Sequence, residues 1–184
     1  IRASEKVFYR QILEIYATSI DYDPKAEISI QFFKKVQNKI HYAIHGQTAA
    51  EVIYNRVDAE KEFMGLTSFA GKQPTLKEAV VAKNYLDEKE LRAMGQLVSG
   101  YLDFAERQAE REQAMTMQDW AEHLDRILTM SGEQLLIGNG SISHKQAVDK
   151  ATGEYRKYKA KTLSEVEQDY LDSIKILEQK IEKK

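Results

Sequence analysis

The densest set of chemically able side chains lies between Asn38 and Phe69, in NKIHYAIHGQTAAEVIYNRVDAEKEFMGLTSF. His41 and His45 stand four residues apart, so on one helix their imidazoles share a face and can offer two nitrogens to one metal ion. Enzymes with an H-E-x-x-H motif use that spacing. Here Tyr42, Ala43 and Ile44 intervene, and no glutamate stands where the general base belongs, which excludes a metalloprotease. A divalent metal would need a third ligand from Glu51, Asp58, Glu60, His123 or His144; the set placed first is His41, His45 and Glu51. Read as acid–base chemistry, the catalytic candidates are His41, His45, Arg56, Asp58 and Lys61. The imidazoles would move protons, and the cations would hold a phosphate. Each residue also has a plain structural account. Thr48 and Glu51 form a T-x-x-E capping box. Arg56 with Glu60, and Asp58 with Lys61, have the spacing of surface helix pairs worth about 0.2–0.5 kcal/mol. The histidines can bond to a neighbouring helix or face solvent.

The elements that must position these groups are helical almost throughout, since two prolines and nine glycines leave few breaks. A first helix is expected over about 3–20, with Phe8, Ile12, Ile15 and Tyr16 on one side, ending before Pro24. A second, about 26–45, carries the stripe Ile28, Phe32, Val36, Ile40, Ala43 and Ile44. That stripe puts His41 and His45 on the far side, beside Lys34 and Asn38. Gly46 suits a C-cap, and the box at Thr48 opens a third helix to about Glu62. A loop over 63–75 and a short helix over 76–86 follow. Asp87-Glu88-Lys89-Glu90 then starts a central helix to about Gln113. From Thr116 the next helix turns Trp120, Leu124, Ile127 and Leu128 inward. Gly138-Asn139-Gly140 breaks the chain before Ser143 and Gln146 cap a helix to about Lys161. The last helix, joined to it or separate, spaces Val166, Tyr170, Ile174, Leu177 and Ile181 at threes and fours. No strand run is convincing. The expected fold is all-α: one domain over 1–184, an irregular bundle of about seven helices. The long C-terminal helix, 163–184, would pack on the domain or pair with another chain.

Composition narrows the functions. A 42% hydrophobic and 30% charged chain can build a core, and a net charge of −2 attracts neither nucleic acid nor anionic lipid over the whole surface. A nucleic-acid contact would need a local patch such as Arg156, Lys157, Lys159 and Lys161, interleaved with Tyr155 and Tyr158. The absence of cysteine excludes disulfides, thiolate zinc sites and cysteine nucleophiles, and fits a reducing cytoplasm. No apolar run reaches the roughly 18 residues of a membrane span, and no membrane partner is expected. The chain opens on Ile1-Arg2 within a helical pattern, and a longer parent protein is expected. Gly138-Asn139-Gly140 matches the GNG of Fic-type transferases only superficially: no histidine stands upstream, and Ser141 occupies the arginine place.

Taken together, IRASEKVFYRQILEIYATSIDYDP, VQNKIHYAIHGQTAAEVIYNRVDAEKEFMGLTSF, VAKNYLDEKELRAMGQLVSGYLDFAE, MTMQDWAEHLD and GSISHKQAVDKATGEY resemble the C-terminal portion of the RhuM family of bacterial virulence-associated proteins, over about residues 1–160. The resemblance implies an upstream region similar to a DNA-binding or phage-antirepressor module, and a setting in mobile genetic islands. It assigns no functional residue. The leading expectation is a cytoplasmic helical effector or oligomerisation domain, self-associating through its C-terminal helix and reaching DNA through the upstream region. The alternative is a metal-assisted or acid–base enzyme acting on a nucleotide or nucleic acid through the His41–Lys61 cluster.

Overall fold

A computed structural model describes Arg10 and residues 14–23, 25–162 and 165–182. Within them the chain is all-α, without a strand. Residues 14–17 are helical and lead into α1 (Glu27–His45) and α2 (Ala49–Arg56). A 3-10 turn at Glu62–Gly65, α3 (Leu76–Ala79) and a second 3-10 turn at Ala82–Tyr85 follow. The long α4 (Glu88–Glu110), α5 (Met117–Met130), α6 (His144–Lys161) and α7 (Glu165–Glu182) complete the order.

Local chemistry sets most helix starts. Thr48 with Glu51, Thr75 with Glu78, Asp87 with Glu90, Thr116 with Asp119 and Ser143 with Gln146 all form reciprocal capping boxes. In each, a side-chain oxygen takes one orphan N–H of the first turn and the third residue returns the favour. Gly46 closes α1 at φ 69°, and its N–H donates to the Tyr42 carbonyl 2.8 Å away.

Several expected boundaries move. The third helix stops at Arg56, not Glu62, because Val57 and Ala59 leave it to enter the core and the Asp58 N–H donates to the Met64 carbonyl. The expected helix over 76–86 splits in two. Tyr85 Oη donates to the Ala79 carbonyl at 2.7 Å and Asn84 Nδ2 to the Glu78 carbonyl at 2.9 Å, taking acceptors that a continuing helix would need. The central helix ends at Glu110, just before Glu112 turns left-handed at φ 52°. Helices α6 and α7 are separate, with Thr162 extended between them. Of the first helix's expected face, Ile15 and Tyr16 are buried, whereas Phe8 and Ile12 lie outside the described residues.

The stripe on α1 is only partly as expected. Val36, Ile40 and Ala43 are buried, but Ile28 is 69% exposed. His41, expected on the far side, is completely buried. The reason is that α1 packs against both α2 and α4, so more than one of its faces is covered. Deeper in the bundle Tyr16 Oη lies 3.0 Å from Tyr101 Oη, which donates to the Trp120 carbonyl at 2.7 Å. Those bonds supply both buried phenols with partners, as a dry core requires. Lys39 is nearly buried on α1 and reaches both carboxylate oxygens of Asp125 on α5 at 2.6 Å. Helix α6 lies on α2 and α3, with Ala147 and Ala151 allowing close approach and Tyr158 bonding to Gln73.

Candidate functional site

Where the end of α1, the end of α2 and the start of α4 meet, four of the chain's polar side chains converge. His41 Nδ1 lies 3.0 Å from His45 Nε2, so one ring donates and the other accepts. Burial pulls His41 down to about 3, with the neighbouring His45 adding to the effect. His45 is half-buried and falls to about 4, again chiefly through burial; Glu90 opposes that shift and Arg56 reinforces it. Both imidazoles are therefore neutral at pH 7. The outer nitrogen of His41, Nε2, is buried without a hydrogen-bond partner.

Arg56 closes the group. Its Nη1 and Nη2 donate to the two Glu90 oxygens at 2.7 and 2.6 Å, a forked pair, and Nη1 also donates to the Tyr85 carbonyl at 2.8 Å. Hydrogen bonding to Arg56 holds the Glu90 carboxyl below its ordinary range, and the same pair raises Arg56. Arg56 thus pairs with Glu90 across 34 residues, in place of the expected Glu60. The sequence marked Glu90 only as part of a capping box; no local pattern could announce its long-range partner.

The remaining candidates go elsewhere. The Glu51 carboxylate accepts from Thr48 N at 2.7 Å, and from Ser141 N and Oγ at 2.6 and 2.7 Å. Burial would push its carboxyl up, but the bonds from Ser141 and Thr48 outweigh that and hold it low. Glu51 therefore clamps the Gly138–Gly140 turn onto α2. A Cβ at Gly140 would fall 2.6 Å from Thr48 Cγ2, which accounts for the glycine. Asp58 accepts from Glu60 N at 3.0 Å in a loop that faces α6. There Glu60 pairs with Lys161, and Glu154, itself held by Lys157 at 2.7 Å, accepts from Ala59 N. Lys61 is exposed. His123 stacks on Phe104 with ring centroids 4.0 Å apart, and His144 is exposed at the start of α6. Among the described residues, no three His, Asp or Glu side chains gather to hold a metal ion. The structure brings His41, His45 and Arg56 together with Glu90, while the carboxylates of Glu51 and Asp58 accept from Thr48 and Ser141 and from Glu60.

Two neutral imidazoles make stability fall with acid. An unfolded histidine titrates near 6.5, so below that pH the unfolded chain binds protons that the folded chain refuses until about 4 or lower. The contribution is intact above about pH 6.5 and is lost as pH falls. For His41 the loss amounts to about 2 kcal/mol at pH 5. Urea unfolding at pH 7.5 and 5.0 should show that loss in the native chain and a smaller one in His41→Leu. Equal losses in the two chains would contradict a neutral His41.

Comparison with known proteins supplies the family. The family model described as Virulence protein RhuM family matches residues 1–166. No curated protein and no solved structure matches the chain. Among the described residues no helix is long and apolar enough to cross a membrane. With the match running over nearly the whole bundle from the first helix through α6, the chain belongs to the RhuM family of virulence proteins.

Proposed function

We propose that this chain is a helical effector and self-association domain, which in a longer protein couples copies of an upstream DNA-binding module. The observation that supports the reading is α7. Val166 is 78% exposed, Tyr170 66%, Ile176 54% and Leu171 39%, on a helix tied to the domain by the exposed Lys72–Asp169 pair at 3.0 Å. Surface ion pairs of that kind contribute little, whereas exposed apolar side chains one turn apart on one face, as Val166 and Tyr170 are, gain by pairing with another helix. The occupant proposed is a second copy of the same helix. Multi-angle light scattering at micromolar concentration should return twice the chain mass. Val166→Glu with Tyr170→Glu should return a monomer that keeps its helical fold, because both side chains are open to solvent in the single chain. A native chain that runs as a monomer at every concentration tested would remove the proposal. The alternative, chemistry on a nucleotide or nucleic acid through the 41–61 residues, has less support. The fork of Arg56 is committed to Glu90, and the Asp58 carboxylate accepts from the Glu60 N–H in its own loop.

A further inference from the structure

A cavity of about 460 Å3 opens between the lead-in helix, the C-terminal half of α4 and the start of α5, and none of the His41 group lines it. Its size lies in the range of small-molecule sites. The walls are largely apolar, with Ile15, Leu102, Ala105 and Met115 among them beside the polar Thr18 and Gln113, and Trp120 belongs to the lining. Trp120 is held edge-on by Tyr101 and Phe104, at centroid distances of 6.2 and 6.1 Å, so this wall is rigid. Its indole N–H is buried and has no acceptor. The charged groups in the lining are both carboxylates, Glu14 and Glu106, and both are exposed. Glu14 meets Arg10 at 3.2 Å in a solvent-exposed pair, and Glu106 forms no ion pair among the described residues.

We propose that this cavity is a binding site for a small amphiphilic cation, whose apolar body lies against Leu102, Met115 and Trp120 and whose ammonium end faces Glu106. Burial of the apolar body supplies most of the affinity. Glu106, the lining carboxylate without a cation beside it, decides the sign of the head group, since an exposed charge acts weakly but repels a like charge as well as attracting an opposite one.

Trp120 is the only tryptophan in the chain, so its fluorescence reports on the site without interference. The probes are octylammonium, octanol and octanoate, each below its micellar concentration, titrated into the whole chain. Octylammonium should give a saturable change with a dissociation constant below about 1 mM. Octanoate should bind at least about 10-fold more weakly, with octanol between them, and Glu106→Gln should narrow the gap between amine and alcohol by up to about 5-fold. Ala109→Phe, at an exposed position of the lining, should abolish the signal while the melting temperature holds. The methyl resonance of Met115 gives a second readout in the native chain. Absence of saturation by both readouts, equal binding of amine and carboxylate, or undiminished binding to Ala109→Phe would each overturn the proposal.

Discussion

Glu90→Ala is expected to lower the unfolding free energy by about 3 kcal/mol, among the largest effects of any single side-chain truncation outside the apolar core. The Glu90 side chain is 16% exposed and that of Arg56 29%, so the pair is largely withdrawn from water. Removing the carboxylate leaves a guanidinium with one remaining partner, the Tyr85 carbonyl, in a setting that hydrates it poorly. It also removes the acceptor for the Asp87 N–H at the head of α4, 2.9 Å from Glu90 Oε2. Arg56→Ala should cost less, because Glu90 keeps its capping bond. The double variant Arg56→Met/Glu90→Leu should recover part of the loss, since neither charge is then stranded. Chemical denaturation of these four chains checks this. A Glu90→Ala loss under about 1 kcal/mol would mean that water already satisfies the pair.

Gly65→Ala is expected to cost about 3 kcal/mol, through two separable causes. Gly65 sits at φ 82°, where a Cβ is strained by about 1–2 kcal/mol. That Cβ would also fall 2.5 Å from the Arg56 carbonyl oxygen, a backbone atom that cannot step aside. Gly46 separates the two effects, because it has φ 69° but nothing within 4 Å of an added Cβ. Gly46→Ala should therefore show the conformational cost alone, about 1 kcal/mol. Thermal or urea unfolding of both variants gives the difference directly, and equal losses would show that the backbone at Arg56 yields. Phe63 and Met64 precede Gly65 at φ 49° and 57°, so three successive residues are left-handed. Burying Met64 completely compensates the strain at that position, and a bulkier neighbour at 65 would disturb the carbonyl end of α2 that presents Arg56.

The histidines show how far a one-dimensional reading reaches. Their spacing implies a shared face, and the two nitrogens do meet at 3.0 Å. A stripe drawn on α1 alone nevertheless sends His41 to the far side, because helical phase says which residues share a face but not how many faces will be covered. Arg56 and Glu60 fit a helix pair only while the helix lasts. Once Val57 and Ala59 leave it for the core, the pairing rule has no helix to act on.

What the sequence determined by itself is the all-α class, the C-cap at Gly46 and the capping boxes at Thr48, Asp87 and Ser143, together with the family. Those features are short-range: a capping box closes over three residues, and a 3.6-residue period repeats within one turn. The tertiary structure alone decided that Arg56 would take Glu90 and that Glu51 would hold the 138–141 turn. It also decided that His41 would be sealed inside. The first two of those outcomes depend on surfaces brought together from 34 and 90 residues apart. A contact at that range is selected by the packing of whole helices, and no neighbour in the sequence records it.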